Sequence, residues 1–398
     1  MPALPVPVCV NCRALSNKIR QSDTVKGVSL CGNEIKISQF ADDTNLICAD
    51  IPSVENALQI LVDFGKISGL TLNKEKTKAM WLGRSANNKN KPLGFKWVSC
   101  PTRFLGVHLS YDKKGNDYQN FDLKIGKLQT NLDMWRMRDL TLFGRVLIVK
   151  SLGISQLIYS AFNVDVPNYV ISTVKKRLFG FLWKNNRDKI KRVGLYQNYD
   201  KGGLRMPDLE CMIKALRMAW IPRLLKEGHQ NWKTVPDHFF KRYGGLEFIL
   251  VCNYNVKFFE NLPNFYKDIL LYFSELKTLY NHDNMCEIIL FNNKDILIGG
   301  KPFFNKEWFS RQIISITDLL DAEGRFLSFS DFQSKYRLRR TNLLQFYQVI
   351  NAIPKHLLAK SINKKLFAAE SDDFVLDPTS FCLESGVKLD LTKMKSKE

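Results

Sequence analysis

The chain has 398 residues, 45% hydrophobic and 25% charged, enough for two or three domains with buried cores and ordinary for a soluble globular protein. Lys and Arg number 59 against 39 Asp and Glu, and the resulting +20 is spread along the chain rather than held in one tail. A folded protein this basic repels itself, which points to a polyanionic partner: nucleic acid first, an anionic membrane surface second. Nine scattered cysteines exclude a patterned disulfide framework and read as an intracellular, reducing compartment. The lone pair Cys9 and Cys12 lacks the further ligands that zinc needs. The opening M-P-A-L-P-V-P-V-C-V has no basic n-region and is a poor signal peptide. The most apolar stretch, 142–162, carries Arg145 and Lys150, which argues against a membrane helix and for no membrane partner.

In chain order, residues 13–21 read as the end of an amphipathic helix. E-I-K-I-S-Q-F and T-N-L-I-C-A then flank A-D-D, with Ile35, Ile37 and Gln39 alternating against Lys36 and Ser38 as in a half-buried strand. That predicts a β-hairpin with Asp42 and Asp43 at its tip. Residues 53–67 predict a helix capped by Ser53 and ended near Gly69, its apolar stripe formed by Val54, Ala57, Leu58, Leu61 and Phe64. Strand-like runs follow at 70–73, 77–82 and 103–110, with a polar loop at 84–91. From about residue 117 the pattern turns helical: 118–138, 141–161, 168–184 and 208–227, with Thr141 and Asp208 as N-caps and Pro167 before a helix start. Beyond 235 the chain is aromatic-rich and mixed, and from Lys364 it reads as a loose tail. A mixed segment followed by a helical one argues for an α+β fold with separate domains.

The chemistry centres on Asp42 and Asp43. Adjacent carboxylates on a rigid turn can offer hard oxygen ligands to Mg²⁺, although Asp also favours turns for purely local hydrogen-bonding reasons. The order of segments carries more than this turn alone. F-A-D-D on a hairpin is followed by a capped helix, then S-G-L-T-L-N-K-E-K-T-K, then R-F-L-G-V-H-L-S, then basic helices. Downstream come L-F-G-R-V-L-I-V-K-S-L-G-I-S-Q-L-I-Y (142–159), F-L-W-K-N-N-R-D-K-I-K-R (181–192) with K-G-G-L-R-M-P-D-L (201–209), and W-F-S-R-Q-I-I-S-I-T-D-L-L (308–320).

This succession resembles the reverse transcriptases of non-LTR (LINE-type) retrotransposons over roughly residues 13–355. The resemblance implies a truncated palm over 1–111, a thumb-like helical domain over 112–228, a mostly helical connector over 229–365 and a loose tail over 366–398. It makes Asp42 the essential metal ligand and Asp43 its support. Lys76 becomes the lysine that protonates or steers the leaving pyrophosphate, and Phe104, Leu105 and Gly106 the primer grip. Without the family, Lys76 reads as a solvated loop lysine and Gly106 as an ordinary bulge glycine. Lys124, Lys127, Arg136, Arg138, Arg145 and Lys150, with Lys175, Lys176 and Arg177 beyond them, would meet the phosphates of a duplex of RNA template and DNA primer. Trp135 and Trp183 read as core rather than stacking platforms. No small-molecule cofactor is implied beyond Mg²⁺ and the dNTP substrate.

Two-metal nucleotidyl transfer needs a further carboxylate from the family's motif A. Of the 41 residues before Asp42, only Asp23 and Glu34 are acidic, and neither stands in such a setting. Motif B, the family's endonuclease and its C-terminal Cys/His cluster are not found either. The expectation is a weak or absent metal site and little or no polymerase activity from this chain alone. The alternative is a non-catalytic module that binds RNA or RNA–DNA hybrid.

Overall fold

The computed structural model describes residues 6–40, 43–98, 102–110, 112–226, 228, 231–279, 287–367, 380–382 and 388–390. It is a mixed helix-and-strand protein, consistent with the α+β class, and divides into two compact units, Met1–Asn116 and Asp117–Glu398.

In the first unit, helix α1 (Val6–Gln21) precedes two antiparallel hairpins, β1 (Val28–Leu30) with β2 (Asn33–Ile35) and β3 (Ile37–Phe40) with β4 (Asp43–Leu46). The expected continuous strand through Ile35, Ile37 and Gln39 is therefore split. Ile35 pairs with Val28, while Ile37 opens the second hairpin opposite Leu46. Lys36 sits at the break, its ammonium donating to the Ser22 carbonyl at 2.8 Å. Helix α2 (Ile51–Ser68) starts two residues before the expected span. Its cap is Asp50, which accepts from the Ser53 amide at 2.8 Å, rather than Ser53 itself. Pro52 fits in this first turn because no intrahelical partner awaits its nitrogen. Ser53 is buried instead and its hydroxyl accepts from the Lys26 amide. Gly69 ends the helix as expected, in the left-handed region at φ 73°.

Leu15, Ile19, Val25, Ile37 and Ala57 form this unit's buried core, with Leu46, Ile60, Leu61 and Phe64 packed against it. Both helices and the β3–β4 hairpin thus share one apolar face. The runs expected as strands at 70–73 and 77–82 reduce to β5 (Lys78–Ala79), paired in parallel with β6 (Lys96–Trp97). Trp81 and Trp97 stack at 4.7 Å above this pair, and the Trp81 indole donates to the Asn90 carbonyl, tying down the loop expected at 84–91. The last hairpin joins β7 (Thr102–Phe104) to β8 (Val107–Leu109). Every sheet among the described residues has two strands.

A short helix α3 (Lys113–Asp117) leads to the second unit. There a π-helical turn, Tyr118–Asp122, runs into α4 (Leu123–Arg136). α5 (Leu142–Ile148), a π-helical stretch (Val149–Ile154) and α6 (Ser155–Asn163) follow as one continuous rod, then α7 (Asn168–Leu182), α8 (Arg192–Tyr196), α9 (Leu209–Met218) and α10 (Trp220–Leu225). Thr141 and Asp208 cap α5 and α9 as predicted, accepting from the Gly144 and Glu210 amides at 3.2 and 2.8 Å. Phe121, Leu128, Leu132, Val149, Val174, Leu178 and Leu182 are among the buried residues that join the helices from α4 to α9 in one core, while Ile221 and Leu224 of α10 belong to another. The rod Leu142–Asn163 is the one helix among the described residues long and apolar enough to cross a membrane by length and composition. Its Val146, Val149, Ile154, Leu157 and Ala161 lie within that core.

A second core, built on aromatic rings, covers the region whose pattern is hardest to parse in sequence. Trp308, Phe291, Phe332 and Phe346 are fully buried, and Trp308 meets Phe303 and Phe332 edge-on at 5.3 and 4.9 Å. The Trp308 indole donates to the Thr341 hydroxyl at 2.6 Å, satisfying the polar atom that such a ring brings inside. Within the expected loose tail, Ser380–Cys382 pairs antiparallel with Lys388–Asp390, and residues up to Phe367 complete a helix begun at Lys355.

Candidate polymerase turn and nucleic-acid interface

Strand β3 meets β4 in a register that closes with Phe40 opposite Asp43. Ala41 and Asp42, the expected catalytic residue, lie outside the described residues. Asp43 is exposed at the start of β4. Its neighbours fix the hairpin against α1: the Ser16 hydroxyl donates to the Gln39 side-chain oxygen, and the Gln39 amide donates to the Thr44 hydroxyl at 3.0 Å. Gln39, read from sequence as an inward strand position, is thus the polar link that holds this turn to the helix.

Two neighbouring carboxylates have the right chemistry for Mg²⁺, but octahedral coordination of a reluctantly dehydrated ion needs more protein donors. Among the described residues no group of three or more His, Cys, Asp or Glu side chains stands close enough to hold a metal. The donor set described does not complete such a site.

Lys76 lies exposed in a turn organised by Asn73, whose side chain accepts from the Lys76 amide at 3.0 Å. The Thr77 hydroxyl donates to the Asn73 carbonyl at 2.7 Å, closing the same turn. No hydrogen bond or ion pair joins Lys76 to Asp43 among the described residues. Phe104 pairs with Val107, so Leu105 and Gly106 form a two-residue hairpin turn. Both have positive φ, 44° and 84°, as the tightest hairpin turns require. Phe104 and Leu105 remain 37% and 36% exposed, whereas Val107 is buried. The turn therefore presents an apolar tip.

The six thumb cations divide into two groups. Lys124 is half-buried and donates to the Ser160 hydroxyl, and Arg145 donates to the Leu182 carbonyl at 2.8 Å. Arg136 sits 3.4 Å from Asp133. These three are engaged within the fold. Lys127 and Arg138 are exposed, Arg138 lying over the Trp135 ring at 5.0 Å, and Lys150 is half-buried. On α7, Arg177 donates to the Ile125 carbonyl, while Lys175 bridges Asp208 and Glu210. Desolvation works against the Lys175 ammonium, but its hydrogen bond to Glu210 and the charges of Asp208 and Glu210 together outweigh that and hold it above the usual lysine range. Trp183 is buried and Trp135 packs against the same core, as expected.

A groove lies along α4, lined by Tyr118, Leu123, Gly126, Lys127, Asn131 and Gln156. Beside it the Tyr169 hydroxyl reaches the Asp122 carboxylate at 3.2 Å. Burial, then Asp122, pushes its pKa up to about 12. Sequence reading missed two further basic elements: residues 184–193, every one exposed, and the K-G-G-L-R loop at 201–205. Their signal was present in the motifs F-L-W-K-N-N-R-D-K-I-K-R and K-G-G-L-R-M-P-D-L, which served there only as marks of family.

Comparison with known proteins gives two matches. Residues 11–109 match the family of reverse transcriptases (RNA-dependent DNA polymerases). Over 310 residues the chain is 24% identical to the transposon TX1 uncharacterized 149 kDa protein of Xenopus laevis, covering 73% of this chain and 23% of that protein. The chain thus spans about a quarter of that relative's length. Together the matches support the assignment suggested by the motifs, a non-LTR retrotransposon reverse transcriptase.

Proposed function

We propose that this chain supplies the rear of a retrotransposon RNA-directed DNA polymerase: the metal-binding turn and primer grip of the palm, and the thumb that holds the template–primer duplex. The observation that carries this reading is the β3–β4 hairpin, whose register closes with Phe40 opposite Asp43 inside the segment matching the reverse transcriptase family. Joined to a motif A carboxylate from elsewhere, Asp42 and Asp43 would hold the metal ions of a two-metal nucleotidyl transfer. Lys76 attends the leaving pyrophosphate, and the Phe104–Gly106 turn supports the primer end. Lys127, Arg138 and Lys150 face the phosphates of the duplex, and the α4 groove, lined in part by Gly126 and Lys127, lies against its backbone. Lys124, Arg136 and Arg145 shape that surface through the contacts they make inside the fold.

These 398 residues supply no carboxylate in a motif A setting, so by themselves they bind RNA–DNA hybrid without extending it. Primer extension on poly(rA)/oligo(dT) with Mg²⁺ tests this, comparing the wild-type chain with Asp42→Asn. No incorporation by either, with equal hybrid binding, is expected. Incorporation by the wild type alone would refute the inactivity and locate the missing carboxylate within this chain. The second reading, a binding module without any role in chemistry, is favoured by the +20 charge. It predicts that joining the chain to a polypeptide bearing motif A restores no Asp42-dependent synthesis.

A further inference from the structure

The K-G-G-L-R loop is built with more constraint than a surface connection needs. Its backbone folds back on residues 195–198: Gly203 and Arg205 donate to the Asn198 and Gln197 carbonyls, both at 2.9 Å, and Met206 to Leu195 at 2.9 Å. Arg205 is held at φ 50°, a left-handed conformation unfavourable for a long side chain. That backbone places its guanidinium 5.4 Å from the centre of the Tyr199 ring, and Asn198 accepts from its Nε at 3.0 Å. Tyr199 in turn stands 5.9 Å from Phe143 of α5, their planes tilted by 41°. Both rings are about half exposed, Phe143 at 53% and Tyr199 at 48%. Two large aromatic faces open to water beside a positioned cation form a surface that folding alone does not require.

The surroundings are basic. The segment between α7 and α8 is tied to the same place, since Lys184 pairs with Asp139 at 3.7 Å and Arg145 of α5 donates to Leu182. Residues 184–192 carry five Lys or Arg against one Asp, and Asp188 is taken up by Arg192 at 2.7 Å. Arg187, Lys189 and Lys191 have no ion pair among the described residues. Asp139 and Asp200 are the opposing charges nearby.

We infer that Phe143 and Tyr199, flanked by Arg205 and the basic segment 184–192, form a platform on which bases of an unpaired nucleic-acid strand stack while its phosphates meet the lysines and arginines. Aromatic faces select unpaired bases because a duplex keeps its base faces covered, whereas cations alone accept either. The inference rests on the nucleic-acid reading above but adds a second surface, for single strand rather than hybrid.

The test uses the full chain and fluorescence anisotropy with a labelled, unstructured oligouridylate and a fully paired RNA–DNA hybrid. Replacing both rings by leucine (Phe143→Leu with Tyr199→Leu) keeps apolar volume and removes the stacking faces; a thermal melt confirms folding. Oligouridylate binding is expected to fall about tenfold or more, with hybrid binding changed less than about twofold, and Tyr199→Trp is expected to retain it. An equal loss on both ligands, or no loss on either, overturns the platform. Wild-type binding of hybrid but not of oligouridylate overturns it while leaving the proposed function standing. Failure to bind either sinks both, and equal affinity for an acidic polypeptide would reduce the surface to mere charge.

Discussion

Adjacent glycines in the K-G-G-L-R loop have opposite reasons to be glycine, and alanine at each should show it. Gly202 sits at φ 75° with nothing within 4 Å of where a Cβ would stand. Gly202→Ala therefore meets only the left-handed backbone penalty of about 1–2 kcal/mol, partly offset by a less flexible unfolded chain. Gly203 has no such φ, but its Cβ would lie 2.1 Å from the Gln197 carbonyl oxygen and 2.4 Å from its carbon. The obstacle is backbone, so no rotamer relieves it. The strands of the loop must separate, and the hydrogen bonds from Gly203 to Asn198 and from Arg205 to Gln197 go with them. At about 1 kcal/mol each, with about 1–3 kcal/mol of overpacking strain, Gly203→Ala should cost about 3–5 kcal/mol. For a domain of this size that is a fall of roughly 6–20 °C in the melting transition, against about 2–4 °C for Gly202→Ala. Thermal unfolding followed by circular dichroism measures both. A Gly202→Ala loss equal to or larger than that of Gly203→Ala would refute the close-approach argument. Where the chain still folds, Gly203→Ala should also release Arg205 from Tyr199 and weaken oligouridylate binding, which Gly202→Ala should leave intact.

Two further outcomes are expected. In a plot of log hybrid affinity against log salt, Lys127→Ala should make the slope shallower by about one, whereas Lys124→Met, whose ammonium is committed to Ser160, should lower stability and leave the slope unchanged. Glu307 accepts from the Arg339 amide at 2.9 Å and from the Arg340 amide, and these bonds hold its carboxyl below the usual glutamate range. Its stabilising effect is therefore complete above the unfolded pKa near 4.5 and lost as pH falls through the lower folded value. Glu307→Gln should accordingly flatten the acid limb of a stability–pH profile, and an unchanged acid limb would show that these bonds contribute nothing.

What could be read in the sequence was local. Thr141, Asp208 and Gly69 act where they were placed, because a cap is a hydrogen bond or a dihedral within a few residues. The hairpin that brings Phe40 opposite Asp43 likewise follows from the alternation of Ile37 and Gln39 with Ser38 before the acidic pair. Non-local pairing was not legible. The run 77–82 looks like one strand, yet only Lys78–Ala79 finds a partner, and that partner is Lys96–Trp97, in parallel, across a loop. At the start of α2 two short polar residues could cap, and the pattern cannot tell them apart. Packing decides: Ser53 is drawn inside by the Lys26 amide, leaving Asp50 to the helix end.

The cations show the same limit more sharply. The family resemblance marked six along the thumb as phosphate contacts, but a motif match reports the order of segments and not which carbonyls lie within reach of a long side chain. Arg145 finds the carbonyl of Leu182, the last residue of α7, where the negative end of the helix dipole rewards a guanidinium. Arg177 finds the Ile125 carbonyl on α4 by similar reach. Cations so engaged hold helices together and are poorly placed to release counterions from a phosphate backbone. The loop 184–192 escapes this fate because Lys184 and Asn185 both turn left-handed, at φ 52° and 62°, and carry the chain away from α7 into solvent. Three of its five cations make no ion pair among the described residues. Arg187, Lys189 and Lys191, rather than the helical cations, are therefore where the salt dependence of single-strand binding should reside.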